Sequence, residues 1–443
     1  MAPIILLLGP FAATYYAGRR SLVAGLGVLF SVGYAYGVIR ANRMDGYSHL
    51  LFDAALLGIY ASEFQRRFSQ EERFRLDEVR TWLYVMIGWP IILFLAPTQD
   101  VLVELVGLRG NVFMLPCLLI GARLRRAEVL KLAQWLAILN IGAGAFAAVQ
   151  YVVGIELFFP RNAVTDLIYR SGDIAGFTAY RIPSSFANAH AFAGTMVGSL
   201  PMLIGAWMQP LDQRRRILLS VAIAITVLSV FATGARIPVV LLFALGLVLV
   251  FSSQVKLVHK VRWMILAVVV AYVVSGEERL QRFLTLRDSA YVTERIAGSV
   301  NLGFLDVATQ YPLGNGLGGG GTSIPYFLQD RVRNVVAIEN EYARILLEQG
   351  IPGLLIWLGF LAWVFTRSTN RLGQPWFLSR RLGWTWCAGA FATGVLGTGL
   401  LTSIPATALL LLTLGWIAVP ESAEDLHAPA GYAPAVAPYA QTT

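Results

Sequence analysis

Apolar runs close to 20 residues long recur along the whole chain, each cut short by a cluster of Arg or Lys. That pattern excludes most architectures. A helix rises about 1.5 Å per residue, so each run matches a hydrocarbon core of about 30 Å, and a helix pairs its own backbone polar groups where water cannot. Hydrophobic residues make up 56% of the sequence and charged residues only 14%, against about 25% charged in soluble domains. The reading is an all-α, polytopic integral membrane protein. Helices are expected near 4–18, 21–39, 49–63, 81–97, 111–122, 129–153, 189–208, 217–233, 237–252, 262–275, 341–366, 382–401 and 404–419, twelve or thirteen spans in all. The short 111–122 run has an apolar extension back through 100-DVLVELVGLRG-110. The first run lacks a basic segment ahead of it and a cleavage site behind it, so it reads as a span in preference to a signal peptide.

The organisation follows from the breaks between runs. Residues 1–153 form an N-terminal helical block and 154–188 a first large loop. Central helices occupy 189–275, a second large loop with short helices 276–338, and C-terminal helices 339–420. The Pro- and Ala-rich tail 421–443 has no apolar period and reads as a disordered cytoplasmic end. A net charge of +9 would suggest nucleic acid if it were concentrated, but most Lys and Arg sit in short loops between spans, where they set orientation. Arg19 and Arg20, the run 66–80, 123-RLRR-126 with Lys131, 214-RRR-216, the 256–262 loop and the 367–381 loop share one side. Their density marks that side as cytoplasmic. The two long loops then face outward, to the periplasm in a Gram-negative cell. Cys117 and Cys387 lie in apolar stretches, so neither a disulfide nor a metal site is expected. His49, His190, His259 and His427 have no ligand spacing.

The outward side collects the unusual residues: 179-AYRIPSSFANAHAFAGTMVG-198, the turn 231-FATGARIPVV-240, the stretch 294-ERIAGSVNLGFLDVATQYPLGNGLGGGG-321, and 337-AIENEYARILLEQGIPG-353. A single Arg in such a place reads equally well as an interfacial anchor. Four together (Arg181, Arg236, Arg295 and Arg344) argue for more. Arg344 is the hardest to explain as an anchor, because a charge towards a span's centre costs about 2.5–3.5 kcal/mol on insertion scales. Glu341 and Glu348 stand at i−3 and i+4 from it, on one helix face, and predict a structural ion network. Glu339 and Asn340 precede that helix; on spacing alone Glu339 is either a cap or a catalytic carboxylate. Gly314 to Gly319 satisfies Gly-x-Gly-x-x-Gly, but no βαβ pattern surrounds it, so a dinucleotide site is not expected. The run 64-FQRRFSQEERFRLDEVR-80 mixes charge signs and reads as an exposed interfacial helix.

These segments, in this order, resemble the O-antigen ligase and Wzy-type polysaccharide polymerase family. Glu339-Asn340, nine residues and Gly350-Ile351-Pro352-Gly353 is similar to a signature that in the ligases begins with His-Asn. Arg181 to Asn188 resembles an Arg-x-x-Ser-Phe-x-Asn motif with one extra residue. The turn 233-TGAR-236 resembles Thr-Gly-Ser-Arg, and Arg295 followed by 311-YPLGNGLGGG-320 resembles the family's external loop. The match covers about 181–360; residues 1–150 share only hydropathy.

The resemblance implies an inner-membrane glycosyltransferase with a GT-C-like fold. It would move a glycan from undecaprenyl pyrophosphate to a sugar hydroxyl, with inversion and without a cofactor or metal. The partners implied are the lipid-linked donor, a glycan acceptor, membrane lipid and a chain-length regulator protein. Arg181, Arg236 and Arg295 would hold the pyrophosphate, since guanidinium groups bind phosphate oxygens bidentately and stay charged. Glu339 stands where ligases carry His and would accept the acceptor's proton, burial raising a carboxylate's pKa towards that task. That departure favours a polymerase over a ligase. His190 is a second candidate base, or only a polar interfacial residue. Asn188, Asn340, Glu341, Arg344 and Glu348 would support the site. A transporter of bicarbonate or another small solute is the rival class; it would want inverted repeats and broken midplane helices, and the sequence shows no clear repeat.

Overall fold

The computed structural model describes residues 2–43, 46–66, 69–161, 165, 181–261, 304–320, 324, 326–336, 338, 340–367, 376–397 and 399–420, with isolated positions between 265 and 297. Among these residues the chain is helical and has no strand. The helices are α1 Ala2–Arg20, α2 Leu22–Asn42, α3 Leu51–Phe64, α4 Gln70–Phe94, α5 Val101–Val112, α6 Cys117–Arg123 and α7 Arg126–Val153. After the first loop come α8 Ala189–Trp207, α9 Gln213–Ala232 and α10 Arg236–Phe251. Beyond the second loop stand α11 Phe304–Gln310, α12 Glu341–Thr366, α13 Phe377–Thr393 and α14 Ala406–Ala418.

Among the described residues six stretches are long and apolar enough to cross a membrane: α2, α5 with α6, α7, α8, α9 and α12; α10 and α14 are shorter apolar helices. The expected spans 4–18, 49–63 and 81–97 also fall on helices, and 382–401 does so only as far as Thr393, a short 3-10 turn and non-helical backbone following it; these are not among the six. Most of 262–275, much of 276–303 and all of 421–443 lie outside the described residues. Several starts are set by side-chain caps. Ser21 accepts from Ala24 N at 3.1 Å, Ser69 from Glu72 N at 3.1 Å and Asp212 from Arg215 N at 2.8 Å, each stabilising by about 1 kcal/mol.

The bundle is ordered around α8. Of its most apolar stretch 89% is buried, against 33% for α7 and α9, so α8 is a central helix and the other two expose an outer face. That outer face carries large apolar side chains such as Val152, Leu228 and Val149, as lipid contact requires. At its core Asn140 on α7 joins four helices: Tyr34 Oη donates to its Oδ1 at 2.6 Å, and its Nδ2 donates to Ser199 Oγ at 2.8 Å and Thr226 Oγ1 at 2.7 Å. All four residues are buried. Replacing Asn140 by Leu leaves the buried Tyr34 hydroxyl without its acceptor, while Ser199 and Thr226 still donate to Met196 O and Ala222 O, and is expected to lower stability by about 1–2 kcal/mol, read as reduced melting temperature in detergent; an unchanged melt would show that the network adds nothing.

The two classes of loop remain at opposite ends. Arg19 bonds Gln65, Arg123 pairs with Glu63 and Glu72, Arg367 with Glu78, and Arg380 caps the carbonyls of Ile417 and Val419. At the other end Asn42 reaches Phe158 O (2.8 Å), Arg109 pairs with Asp53 (2.5 Å) and Gln99 holds Asn315 O (2.6 Å).

Three local readings change. The charged run 70–80 is not a separate interfacial helix; it is the first part of α4 and continues into the apolar run. The 111–122 run does extend back, but a turn at 113–116, ending in Pro116, divides it into α5 and α6. Most important, α12 is broken at Gly350, whose φ of 69° and ψ of −175° are not helical.

Candidate functional site

The segment before α8 is fastened from both sides. Ser184 adopts a left-handed φ of 52°, its hydroxyl donates to Ala143 O at 2.7 Å, and its carbonyl accepts from Gln150 Nε2 at 2.9 Å. Val38 N donates to Ser185 O at 3.1 Å. At Gly37 a Cβ would sit 1.8 Å from the Phe186 carbonyl carbon, so only glycine admits this backbone approach. Phe186 is buried between Tyr34 and Phe192, ring centroids 4.8 and 5.2 Å away. Asn188 caps α8 by accepting from Ala191 N at 2.8 Å. Ser184, Phe186 and Asn188 are thus anchors. They leave the chemistry of the segment to Arg181, half-buried, and His190, exposed at the top of α8.

Arg181 Nη1 lies 2.6 Å from His190 Nε2. A guanidinium only donates, so this His nitrogen accepts and the ring proton sits on Nδ1. The turn ahead of α10 brings a second arginine to the same place. Gly234 has φ 66°, Thr233 Oγ1 donates to Val230 O at 2.7 Å and accepts from Ala235 N at 3.2 Å, and Arg236 follows as the first residue of α10. Burial, and then the charge of Arg236, lower the pKa of Arg181. Two guanidinium groups in a half-buried corner repel each other, and an anion between them relieves that repulsion. The segment that follows α13 links this turn to the start of α12. Ile237 faces Gly397, whose Cβ position is 3.9 Å from Ile237 Cδ1, and the following amides, Gly399 N and Leu400 N, donate to Glu341 Oε2 at 2.8 and 3.1 Å.

At α12 the expected ion network is present and larger than its three members. Arg344 Nε donates to Glu341 Oε1 at 2.8 Å and Nη1 to Glu348 Oε2 at 2.9 Å, all three side chains being buried. Asn111 on α5 donates to Glu348 Oε2 at 2.6 Å, and its Oδ1 accepts from Arg344 at 3.2 Å and Gln349 at 2.9 Å. A small cavity bounded by Asn111, Met114, Arg344, Trp357, Leu401 and Leu411 adjoins the network. Asn340 caps the helix through Ala343 N at 2.6 Å.

The glycine run is a packing device. Gly314, Gly316 and Gly318 all have positive φ, from 80° to 95°. A Cβ at Gly316 would meet Thr98 Oγ1 at 2.2 Å, and one at Gly318 would meet Val103 O at 2.8 Å. The run therefore wedges its backbone against α5, while Asn315 N donates to Leu347 O at 2.6 Å on α12. Its amides hold the fold together, so its resemblance to a phosphate loop has a structural origin. Gly350 lies against the same loop: Ile351 N donates to Pro312 O at 2.9 Å, and a Cβ at Gly350 would stand 2.5 Å from Leu313 C. Gly350→Ala combines a left-handed φ with this clash; a loss of about 2 kcal/mol or more is expected, read by thermal unfolding, and wild-type stability would mean that the loop yields.

Of the residues singled out by sequence, Arg181, His190 and Arg236 come together at one end, and Glu341, Arg344 and Glu348 form one buried network beside it. Glu339 and Arg295 lie outside the described residues. Asn111 and Gln349 were not foreseen as members of the network. The signal available was a lone Asn at the head of an apolar run. Among the described residues no three His, Cys, Asp or Glu side chains have the geometry to hold a metal ion. Among the described residues, an all-helical chain with six stretches long and apolar enough to span a membrane is the class that fold and composition define. Compared with known proteins, the sequence matches no family model and no curated protein.

Proposed function

We propose that the chain is an inner-membrane glycosyltransferase that polymerises undecaprenyl-pyrophosphate-linked glycan repeats on the periplasmic face, by inversion and with arginines in place of a metal. The observation that carries this reading is the Arg181–Arg236 pair: two half-buried arginines, far apart in sequence, whose charges act on each other. A diphosphate leaving group spreads its charge over several oxygens, and bidentate guanidinium contacts stabilise that charge as the anomeric bond breaks. In this scheme Arg295 completes the clamp. Glu339, one residue before the Asn340 cap, takes the proton from the acceptor hydroxyl. His190 accepts from Arg181 on Nε2, so it positions that guanidinium and offers its Nδ1 proton to an oxygen, which suits it poorly as the base. Twelve or thirteen spans, with the long loops outward, complete the scheme. Transfer to lipid A core, as in a ligase, uses the same groups with another acceptor.

Arg236→Lys keeps the charge but loses the fork geometry. The expected outcome is at least a tenfold fall in polymer formation, about 1.4 kcal/mol, with normal protein accumulation. Normal polymer would make Arg236 an anchor and remove the clamp.

The break in α12 beside a buried ionic network favours a second reading, since transporters build sites at interrupted helices. Uptake of a small solute into proteoliposomes without glycan chemistry would decide for it.

A further inference from the structure

Glu341 and Glu348 flank one cation, Arg344, and the three are 2%, 0% and 0% exposed. With both acids ionised the cluster would hold an uncompensated negative charge away from water, which is strongly unfavourable. Among the described residues, nothing facing it supplies a second positive charge. From α5 come Asn111, which is neutral, and Glu104, whose Oε1 is engaged by Thr98 N and Gln99 N at 2.6 and 2.8 Å. From α4 comes Trp89, which donates to Gln349 O at 2.8 Å. On α11 Val307 is buried with Leu346 and Leu347, while Asp306 is exposed. The 399–405 segment and α14 carry no ionisable side chain.

The two acids differ in how their oxygens are used. Glu341 Oε1 meets Arg344 Nε and Nη2 at 2.8 and 2.7 Å, and Oε2 accepts from Gly399 N and Leu400 N. Both oxygens are engaged, as an ionised carboxylate requires. Glu348 Oε2 accepts from Arg344 and Asn111. Its Oε1 is buried, lies 3.1 Å from the Cβ position of Gly320, and accepts no hydrogen bond of good geometry among the described residues; the Gly318 amide faces the carboxylate without completing one.

We propose that Glu348 binds a proton at Oε1, which makes the Arg344 cluster neutral. The carboxylate takes the proton from solvent hydronium and returns it the same way, so no further reactant is needed. Glu341 remains the ionised partner of Arg344. The site stands apart from the transferase reading and would hold in a transporter equally.

The test is infrared spectroscopy of the full-length protein in lipid nanodiscs at neutral pH, comparing wild type with Glu348→Gln and Glu341→Gln. A protonated-carboxyl stretch that shifts in heavy water, disappears in Glu348→Gln and persists in Glu341→Gln is expected. Thermal unfolding supplies the second readout: Gln mimics a protonated acid, so Glu348→Gln should melt close to wild type, whereas Glu341→Gln should melt clearly lower. A band that survives Glu348→Gln, absence of any such band in wild type, or failure of Glu348→Gln to accumulate while Glu341→Gln does would overturn the assignment.

Discussion

Arg344→Met should prevent the protein from accumulating, or lower its stability by about 3–5 kcal/mol, the range found when one member of a buried ion pair is removed. Membrane-protein yield and thermal unfolding would measure it. A folded protein typically has only about 5–15 kcal/mol in hand, so this is among the largest single-residue effects expected here. The loss comes from what is left behind: Glu341 would keep the amides of Gly399 and Leu400 but lose the cation it pairs with. Asn111 would lose one of the two donors to its Oδ1. The account also says which second change should repair it. Arg344→Met with Glu341→Gln removes the stranded charge and should recover much of the loss, because neutral replacements of buried ion pairs are often tolerated. Arg344→Met with Glu348→Gln should not. Equal rescue by both would mean that the two acids share the charge.

Glu339→Gln should reduce glycan polymerisation by about 10²–10⁴-fold, the usual contribution of a positioned general base, while the protein inserts and accumulates normally. The amide keeps the shape and the hydrogen-bonding reach of the carboxylate but cannot take a proton. The neighbouring cap is independent of it, since Asn340 engages Ala343 N through its own side chain, so folding should be unaffected. Polymer chain lengths in the mutant would be the readout. An unchanged length distribution would move the base elsewhere and leave Glu339 as a helix-start carboxylate.

What the sequence could disclose follows from the range over which each signal acts. Helices of this chain announce themselves within a single run, because burial in lipid demands about 20 apolar residues in succession; accordingly α2, α7, α8, α9 and α12 fall where the hydropathy puts them. The Arg344 trio was legible for the same reason, being a relation of three and four positions on one helix. The proximity of Arg181 and Arg236 was expected from the resemblance and from sidedness, and could not be read from local spacing. Asn111 joining Arg344 depends on which helices are neighbours, a property of the assembled bundle, and no periodicity reports it. The break in α12 was hidden in another way. Gly350-Ile351-Pro352-Gly353 stood inside the single helix expected over 341–366; Pro352 removes one backbone donor there, and the wedge of residues 312–315 holds the backbone in the interrupted form. The charged start of α4 misled in the opposite sense, because charges at a helix end that reaches beyond the lipid do not end the helix.

The central claim is that Arg181 and Arg236 grip a lipid diphosphate. Its most direct test is binding by the purified protein in nanodiscs, followed by native mass spectrometry, with undecaprenyl diphosphate and undecaprenyl monophosphate in competition. The account predicts retention of the diphosphate in preference to the monophosphate, and loss of that preference in Arg181→Gln and Arg236→Gln. Equal retention of the two lipids by the wild-type protein, or a preference that survives both substitutions, would contradict it.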